Sequence, residues 1–244
     1  MTESSKIIND IENALKVCEY DFSHQELIEI LKGDDDVKKQ ICILKIETLE
    51  SQEEADLLIF HLTEHHGIVR ESTAQKLNEL ITNGKYKKLF QNNNAYDTFL
   101  KSINDVNPNI CRIIIEALPE IFKNNNDGLN YFLNKLYDRF DFVFDELEKL
   151  KRSNWYTKKL FNLYWCLETL AMINAPVDEK MLSTLKKTCA FKEYTIREKS
   201  AMVLAFCDNK ARESSPQIQK DWEELKESLK DDPNFYVRRY SDKF

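Results

Sequence analysis

Large apolar residues recur along this chain at a nearly constant interval, and this internal repeat restricts the possible folds more than any other feature of the sequence. Intervals of about 40 to 47 residues are typical of arrays in which each unit consists of two or three helices. Such units bury their apolar faces by stacking, so each one depends on its neighbours for stability. The recurring positions, separated by 41, 45, 41 and 41 residues, are Val69, Ile110, Trp155, Ile196 and Val237.

Each of the first four recurring positions is followed by a stripe with helical spacing. Positions 8 and 11 residues later hold aliphatic residues or cysteine, and offsets of 0, 8 and 11 lie on one side of an α-helix. The spacing therefore predicts one buried helix in each unit, with core sites at equivalent places. These sites are Leu77, Leu118, Leu163 and Leu204 at offset 8, and Leu80, Ile121, Cys166 and Cys207 at offset 11.

The scarcity of turn residues favours helices over strands. The chain has only four glycines and five prolines in 244 residues, whereas β-proteins need turn residues at about every 8 to 12 positions. Charged residues make up 32% and apolar residues 42% of the chain, a mixture that forms a core only when the apolar residues are concentrated on helix faces. The composition therefore predicts an all-α protein.

Neither a membrane span nor a disulfide framework is expected. No apolar run approaches the ~18 residues that a spanning helix needs, and the first ten residues lack the basic and apolar segments of a signal peptide. These features predict a cytoplasmic protein. The cysteines are widely spaced and form no C-x-x-C pair, so we expect buried free thiols. They are Cys18, Cys42, Cys111, Cys166, Cys189 and Cys207.

The segments around the recurring positions resemble the second helix of HEAT repeats, over roughly residues 50 to 244. HEAT second helices have an aliphatic residue followed by arginine and a small residue, after a turn with Asp and Pro. The chain departs from this pattern at Cys111 and Tyr156, which stand where arginine is expected. It departs again at Ile115 and Leu160, which replace a small residue. The matching residues are Arg70, Arg197 and Arg238, Ala74 and Ala201, and Asp105 with Pro108 and Asp232 with Pro233.

The resemblance implies a right-handed α-α superhelix, or solenoid, of about five to six HEAT-like helix pairs with an N-terminal capping helix. We expect a single domain over residues 1–244. Residues 1–50 would form an irregular N-terminal cap and first pair, and residues 51–244 the repeats, the last of them truncated. Atypical ends are expected because a terminal repeat covers an exposed core face. The capping helix would contain Ile7, Ile8, Ile11 and Leu15.

Capping residues predict where several helices begin and end. Gly33 and Gly67 are expected to end helices. Residues 129–150 allow one long helix or two, and the asparagine runs at 92–94 and 124–126 are expected to be loops. The predicted helix starts are Ser23 with Glu26, Asp34 to Asp36, Ser51 with Glu54, Thr195 with Glu198, and Ser215 with Pro216.

No residue pattern predicts a catalytic residue, a cofactor or a metal. The glycine motifs for phosphate binding and for nucleophilic hydrolysis are absent. His61 and His65 could share a helix face and bind a metal. However, His65 and His66 are expected at a helix end, where histidine commonly interacts with the helix dipole and solvent. The absence of a His-Glu dipeptide disfavours the iron chemistry of deoxyhypusine hydroxylases, which are also built from HEAT repeats.

The three tryptophans raise an enzymatic alternative. Alkylpurine DNA glycosylases of the HEAT-like type hold a damaged nucleotide against aromatic side chains, and this chain is similar to them in length and helical repetition. In this chain, however, Trp155 occupies a recurring position and Trp222 lies on an apolar stripe. We therefore expect the tryptophans, which include Trp165, to pack in the core.

Charge is unevenly distributed along the chain. The net charge is −7, which argues against a dedicated nucleic-acid binder. Residues 1–54 carry 14 acidic and 6 basic residues, whereas the remainder carries 28 and 29. Within that remainder most second-helix segments are mildly basic. HEAT second helices line the concave surface of the solenoid, as the resemblance implies, so we expect a mildly basic groove.

These features favour a noncatalytic protein-binding scaffold that uses its curved surface to bind an acidic segment, with no cofactor. Two alternatives stay open: a DNA-binding enzyme of the alkylpurine glycosylase type, and a lyase or chaperone-like helper of a cofactor-bearing protein. Nucleic acid is the less favoured partner, and no membrane contact is expected. The candidate binding residues are Lys76, Arg112, Lys158, Lys159 and Lys199, and the residues expected to tie neighbouring units together are Arg70, Arg197 and Arg238.

Overall fold

The computed structural model describes residues 18–64, 66–150, 154–173 and 175–241. These residues form thirteen α-helices and one short 3₁₀ helix, with no strand among them. The all-α prediction is confirmed. Among these helices, none combines the length and apolar character needed to cross a bilayer. The expected N-terminal capping helix lies outside the described residues.

The chain divides into two compact units, and the first runs from Met1 to Ile121. Its first pair packs on the second, because α2 contacts α4, and the second pair packs on the third through α3 and α5. The first of these contacts joins two second helices and the other joins two first helices, as in stacked repeats. The elements are α1 (His24–Lys32), α2 (Asp36–Lys45), α3 (Gln52–Glu64), α4 (Gly67–Thr82), a 3₁₀ helix (Lys87–Phe90), α5 (Asn93–Ser102) and α6 (Pro108–Phe122), which ends at the unit boundary.

The second unit, Phe122–Phe244, repeats this arrangement. Helix α8 packs on α10 and α10 on α13, while α9 packs on α12. The short helix α11 is an insertion between the last two pairs. The elements are α7 (Asn126–Lys149), α8 (Asn154–Met172), α9 (Glu179–Cys189), α10 (Tyr194–Phe206), α11 (Asp208–Arg212), α12 (Pro216–Lys230) and α13 (Phe235–Ser241).

The core is built on the repeated stripe. The leucines at offset 8 are fully buried in all four repeats, and so are the residues at offset 11. The register of the internal repeat is therefore confirmed at these sites. Trp222 and Trp165, with 1% and 7% of their surface exposed, also pack in the core as expected. Five of the six cysteines are buried, and Cys18 is the exposed one.

Several predicted helix ends are confirmed by their hydrogen bonds. Ser23 and Glu26 form both bonds of a capping box, and Gly33 caps the other end of α1. The hydroxyl of Ser215 accepts a hydrogen bond from the Ile218 amide at the start of α12. Residues 126–149 form one continuous helix, which settles the open question of one helix or two.

The asparagine runs form shorter loops than expected. Asn92 caps α5, and Asn93 is already helical. Asn125 caps α7 in the same way, since its side chain accepts a hydrogen bond from the Gly128 amide. Asn124 has a φ of 61°, a conformation that asparagine tolerates better than most residues.

Two predicted helix boundaries were wrong. Gly67 does not end α3, which stops at Glu64; it is the first residue of α4. The connection is only two residues long, so the glycine falls at the start of the next helix. Thr195 does not cap α10 either, because this helix already begins at Tyr194 after an N-cap at Glu193.

Candidate binding face of the second helices

Second helices of successive repeats are linked by a residue that directly follows the recurring apolar position. In α4 this residue is Arg70, whose Nε and Nη2 donate to the two carboxylate oxygens of Asp105 at 2.8 and 3.1 Å. Asp105 lies 35 residues further on, in the turn that leads into α6. The bidentate pair therefore ties α4 to the start of the next second helix.

Arg197 of α10 makes the same link in the second unit. Its Nε and Nη2 donate to the Asp232 carboxylate at 2.6 and 3.1 Å, and its Nη1 donates to the carbonyls of Phe191 and Lys192. Burial favours the neutral form of Asp232, but the Arg197 guanidinium outweighs this effect and lowers the pKa of that carboxyl. Arg238, at the equivalent position of α13, donates to the carbonyl oxygen of Asp232.

The two positions at which another residue replaces the HEAT arginine also make hydrogen bonds. The Tyr156 hydroxyl lies 3.1 Å from a carboxylate oxygen of Glu193, 37 residues further on. Burial, together with this carboxylate, raises the pKa of Tyr156. The Cys111 thiol lies 3.3 Å from the Asp105 carbonyl, in the turn before its own helix. Both positions were recognised as departures in the sequence, but the sequence could not show that Tyr156 bonds to a residue of the next repeat.

Two of the candidate binding lysines are buried. Lys76 has 4% of its surface exposed, and its Nζ lies 2.7 Å from Glu79. Lys199 has 7% exposed; its Nζ lies 2.7 Å from Glu168 and 4.4 Å from the centre of the Tyr164 ring. Burial alone would lower the pKa of Lys199, but Glu168 and Tyr164 raise it overall. The long aliphatic stems lie in the helix packing, which explains why charged residues are buried here.

The other three candidates differ in their contacts. Lys159 is half-buried, with its Nζ 3.8 Å from Glu146 and 4.7 Å from the centre of the Phe142 ring. Lys158 is exposed, and its ammonium lies 4.5 Å from the centre of the Trp155 ring. Arg112 is also exposed and makes one long hydrogen bond, of 3.4 Å, within its own helix. The structure thus leaves Arg112 in the first unit and Lys158 in the second as accessible cations.

Trp155 is 60% exposed, so the expectation that it packs in the core was wrong. It lies in the first turn of α8, whereas the buried stripe of this helix begins two turns later, at Leu163 and Cys166. Because Leu163 and Cys166 are buried at the expected offsets, the register of the stripe holds, and Trp155 is exposed as part of the first turn of the helix.

Exposed aromatic residues mark the starts of three neighbouring second helices in the second unit. Trp155 begins α8, Tyr194 begins α10, and Phe235 with Tyr236 begins α13; between 41% and 65% of their surfaces is exposed. We call these four residues the aromatic row. The sequence contains a signal for this row, because an aromatic residue stands at or just before each of the last three recurring positions. Sequence reasoning missed this signal.

Contacts between neighbouring helices hold the row together. The rings of Tyr194 and Tyr236 are stacked with centroids 6.3 Å apart. The hydrogen bond from Tyr156 to Glu193 brings the start of α8 beside the start of α10. About one helical turn further along the two helices, Arg239 of α13 donates to Glu198 of α10 at 2.8 Å. The row therefore spans three stacked helices rather than one.

The histidines are not arranged as the sequence suggested. His61 is buried, and its Nε2 lies 2.9 Å from the Leu31 carbonyl, so it serves packing in the first unit. His66 is the exposed N-cap of α4 rather than the end of α3, and His65 lies outside the described residues. His24, which sequence reasoning did not select, lies 3.1 Å from Glu54.

Comparison with known proteins identifies the fold. No family model matches the chain, and no curated protein matches it either. Among solved structures, an engineered protein matches 91% of this chain and 97% of its own length at 14% identity, with a TM-score of 0.56. A designed armadillo repeat protein in complex with the peptide (KR)4 matches 89% and 96% at 14% identity, with a TM-score of 0.55. An archaeal HEAT-like repeat protein from Thermococcus onnurineus matches 92% and 80% at 10% identity, with a TM-score of 0.52. The chain therefore has the all-α solenoid fold of HEAT and armadillo repeat proteins.

Proposed function

We propose that this HEAT-like solenoid is a noncatalytic scaffold that binds an extended segment of a partner protein on the aromatic row. The proposal is carried by one observation: four large aromatic side chains are 41–65% exposed on three adjacent second helices. Exposed apolar patches of this kind commonly mark interaction sites, and aromatic residues are enriched in the cores of protein interfaces. A designed protein of the same fold is known in complex with a peptide, which supports a peptide-like occupant.

The charges beside the row favour an acidic segment. Lys159 and Lys199 are paired with Glu146 and Glu168, and Arg197 and Arg239 are paired with Asp232 and Glu198. Lys158 differs from them, because within the described residues its ammonium contacts the Trp155 ring and no carboxylate. An incoming Asp or Glu would give this exposed cation a partner next to the aromatic row.

Charge reversal at Lys158 tests this chemistry. The occupant would first be selected from a random peptide library, and its dissociation constant would then be measured by fluorescence polarisation. We expect acidic residues in the selected peptides and a loss of about tenfold in affinity for Lys158→Glu, the size of effect that one close charge pair gives. The salt dependence of binding should flatten in the same variant, because a pair of opposite charges has been removed.

A matched variant controls for net charge. Lys220 lies on the first helix α12, with 70% of its side chain exposed, and Lys220→Glu should leave peptide affinity unchanged. Trp155→Ala should weaken binding without lowering stability, since the indole is exposed. If Lys158→Glu and Lys220→Glu weaken binding equally, the row is not the site. Strongly salt-dependent binding to duplex DNA would instead support the glycosylase-type alternative.

We further propose that the protein works in the cytoplasm. Its six cysteines are free thiols, as is usual where the compartment keeps thiols reduced. Burial raises the pKa of Cys42 to about 11 and those of Cys189 and Cys207 to about 12. These three thiols stay protonated at neutral pH and are poor nucleophiles, which supports a packing role for them.

A further inference from the structure

A mixed cluster of one histidine and two carboxylates lies in the first unit and shares no residue with the aromatic row. His24 Nε2 lies 3.1 Å from a carboxylate oxygen of Glu54, and ligand atoms of His24, Glu50 and Glu54 all lie within 4.8 Å of one another. The side chains of His24 and Glu54 are only 26% and 15% exposed. We propose that this cluster binds a zinc ion, which joins the first helix pair to the second.

The cluster has the donor atoms that zinc takes. Zn²⁺ binds imidazole nitrogen and carboxylate oxygen, commonly through three protein ligands plus water. Purely oxygen-ligated sites suit magnesium or calcium instead, so the histidine favours zinc over them. Ligand atoms at about 2.0–2.2 Å from one zinc ion lie no more than about 4.4 Å apart. Glu50 is exposed, so its side chain can change rotamer as the ion binds.

The three residues come from segments whose positions are already fixed. His24 is the first residue of α1, directly after the capping box of Ser23. Glu54 lies in the first turn of α3, where one carboxylate oxygen accepts a hydrogen bond from the Glu50 amide at 2.8 Å. The backbone that carries the ligands is therefore already in place, which lowers the entropic cost of binding.

Space and charge around the cluster also suit a hydrated cation. A cavity of about 530 Å³ is lined by all three residues and by Glu29, Glu53 and Lys32. Lys32 is paired with Glu29 at 2.8 Å, so the remaining carboxylates leave the cavity negative. Water in this cavity would complete the coordination of the ion.

Zinc titration of the full chain tests the proposal. Isothermal calorimetry should show one zinc ion bound per chain, and zinc should raise the melting temperature while EDTA reverses the rise, because a ligand that binds only the folded state stabilises it. His24→Ala and Glu50→Gln should each lower the zinc affinity at least about tenfold. Glu50→Gln is the variant that keeps the contact between His24 and Glu54, so a loss of binding in it is not a loss of folding.

Three controls separate this site from other metal binding. Glu53→Gln removes a carboxylate from the same cavity but not from the cluster, and Cys18→Ser removes the exposed thiol. His66→Ala removes an exposed histidine elsewhere in the unit. All three should bind zinc like the unaltered chain. The proposal is overturned if the unaltered chain binds no stoichiometric zinc, or if His24→Ala binds it equally well.

Discussion

Alanine at Leu77, Leu118, Leu163 or Leu204 is expected to lower the free energy of unfolding by about 2–5 kcal/mol. Each leucine side chain is fully buried at the same position of successive second helices. Truncation removes apolar surface from the core and leaves a cavity that the packed helices fill only in part. Urea unfolding of the four variants would measure the loss.

Leu44 provides the matched control, because it is a helical leucine that is 47% exposed. Leu44→Ala should change the free energy of unfolding by no more than about 0.5 kcal/mol. A loss below about 1 kcal/mol at two of the four core positions would show that the repeat register is wrong. Comparable losses at all four positions would show that the second helices contribute equally to the stability of the two compact units.

Replacement of Arg197 by alanine is expected to cost about 3 kcal/mol, a second large effect. The side chains of Arg197 and Asp232 are only 15% and 5% exposed, so the variant leaves a buried carboxylate without its main partner. Arg197→Lys should recover only part of the lost stability. Lysine restores the positive charge, but its ammonium cannot make the bidentate contact. Lys220→Ala breaks a pair in which both side chains are at least 65% exposed, and it should cost less than about 1 kcal/mol. Equal losses in the two alanine variants would contradict the role of Arg197 as a link between units.

Asp232 makes this link sensitive to acid. Its folded pKa lies below the ordinary value of 3.8, because the Arg197 guanidinium favours the charged carboxylate. A group with a lowered folded pKa contributes stability above its unfolded pKa and loses it as the pH falls through the folded pKa. We therefore expect the stability difference between the unaltered chain and Asp232→Asn to be constant above about pH 5 and to shrink below about pH 4. A difference that stays constant through this range would show that Asp232 is not held ionised by Arg197.

The parts of the fold that depend on local pattern could be predicted from the sequence. The buried leucines follow from helical spacing within one segment, and the Ser23 and Ser215 caps follow from bonds between residues three apart. The paired arginines were expected from the HEAT resemblance, although their partners at Asp105 and Asp232 became clear only from the packing of one unit on the next.

The parts that depend on packing between segments could not be predicted. Lys199 is buried because Glu168 and Tyr164 of a neighbouring helix surround it, and a helical pattern within α10 alone does not contain this information. His24 and Glu54 are 30 residues apart in sequence and meet only because the starts of α1 and α3 lie side by side. Trp155 was misplaced for a different reason: a recurring position was assumed to be buried, although here it falls in the exposed first turn of its helix.

The two kinds of link between second helices also differ in their mechanical strength. Arg197 holds Asp232 through two charge-assisted bonds, whereas Tyr156 holds Glu193 through one hydrogen bond of 3.1 Å. Both links have a carboxylate acceptor, but in the arginine link the donor is also charged and a second parallel bond is present, which makes it the stronger of the two. If the second unit is stretched, the turn that leads into α10 should therefore detach from α8 before the turn that leads into α13 detaches from α10. The Tyr156–Glu193 link, in which tyrosine replaces arginine, then sets the force at which this unit begins to extend.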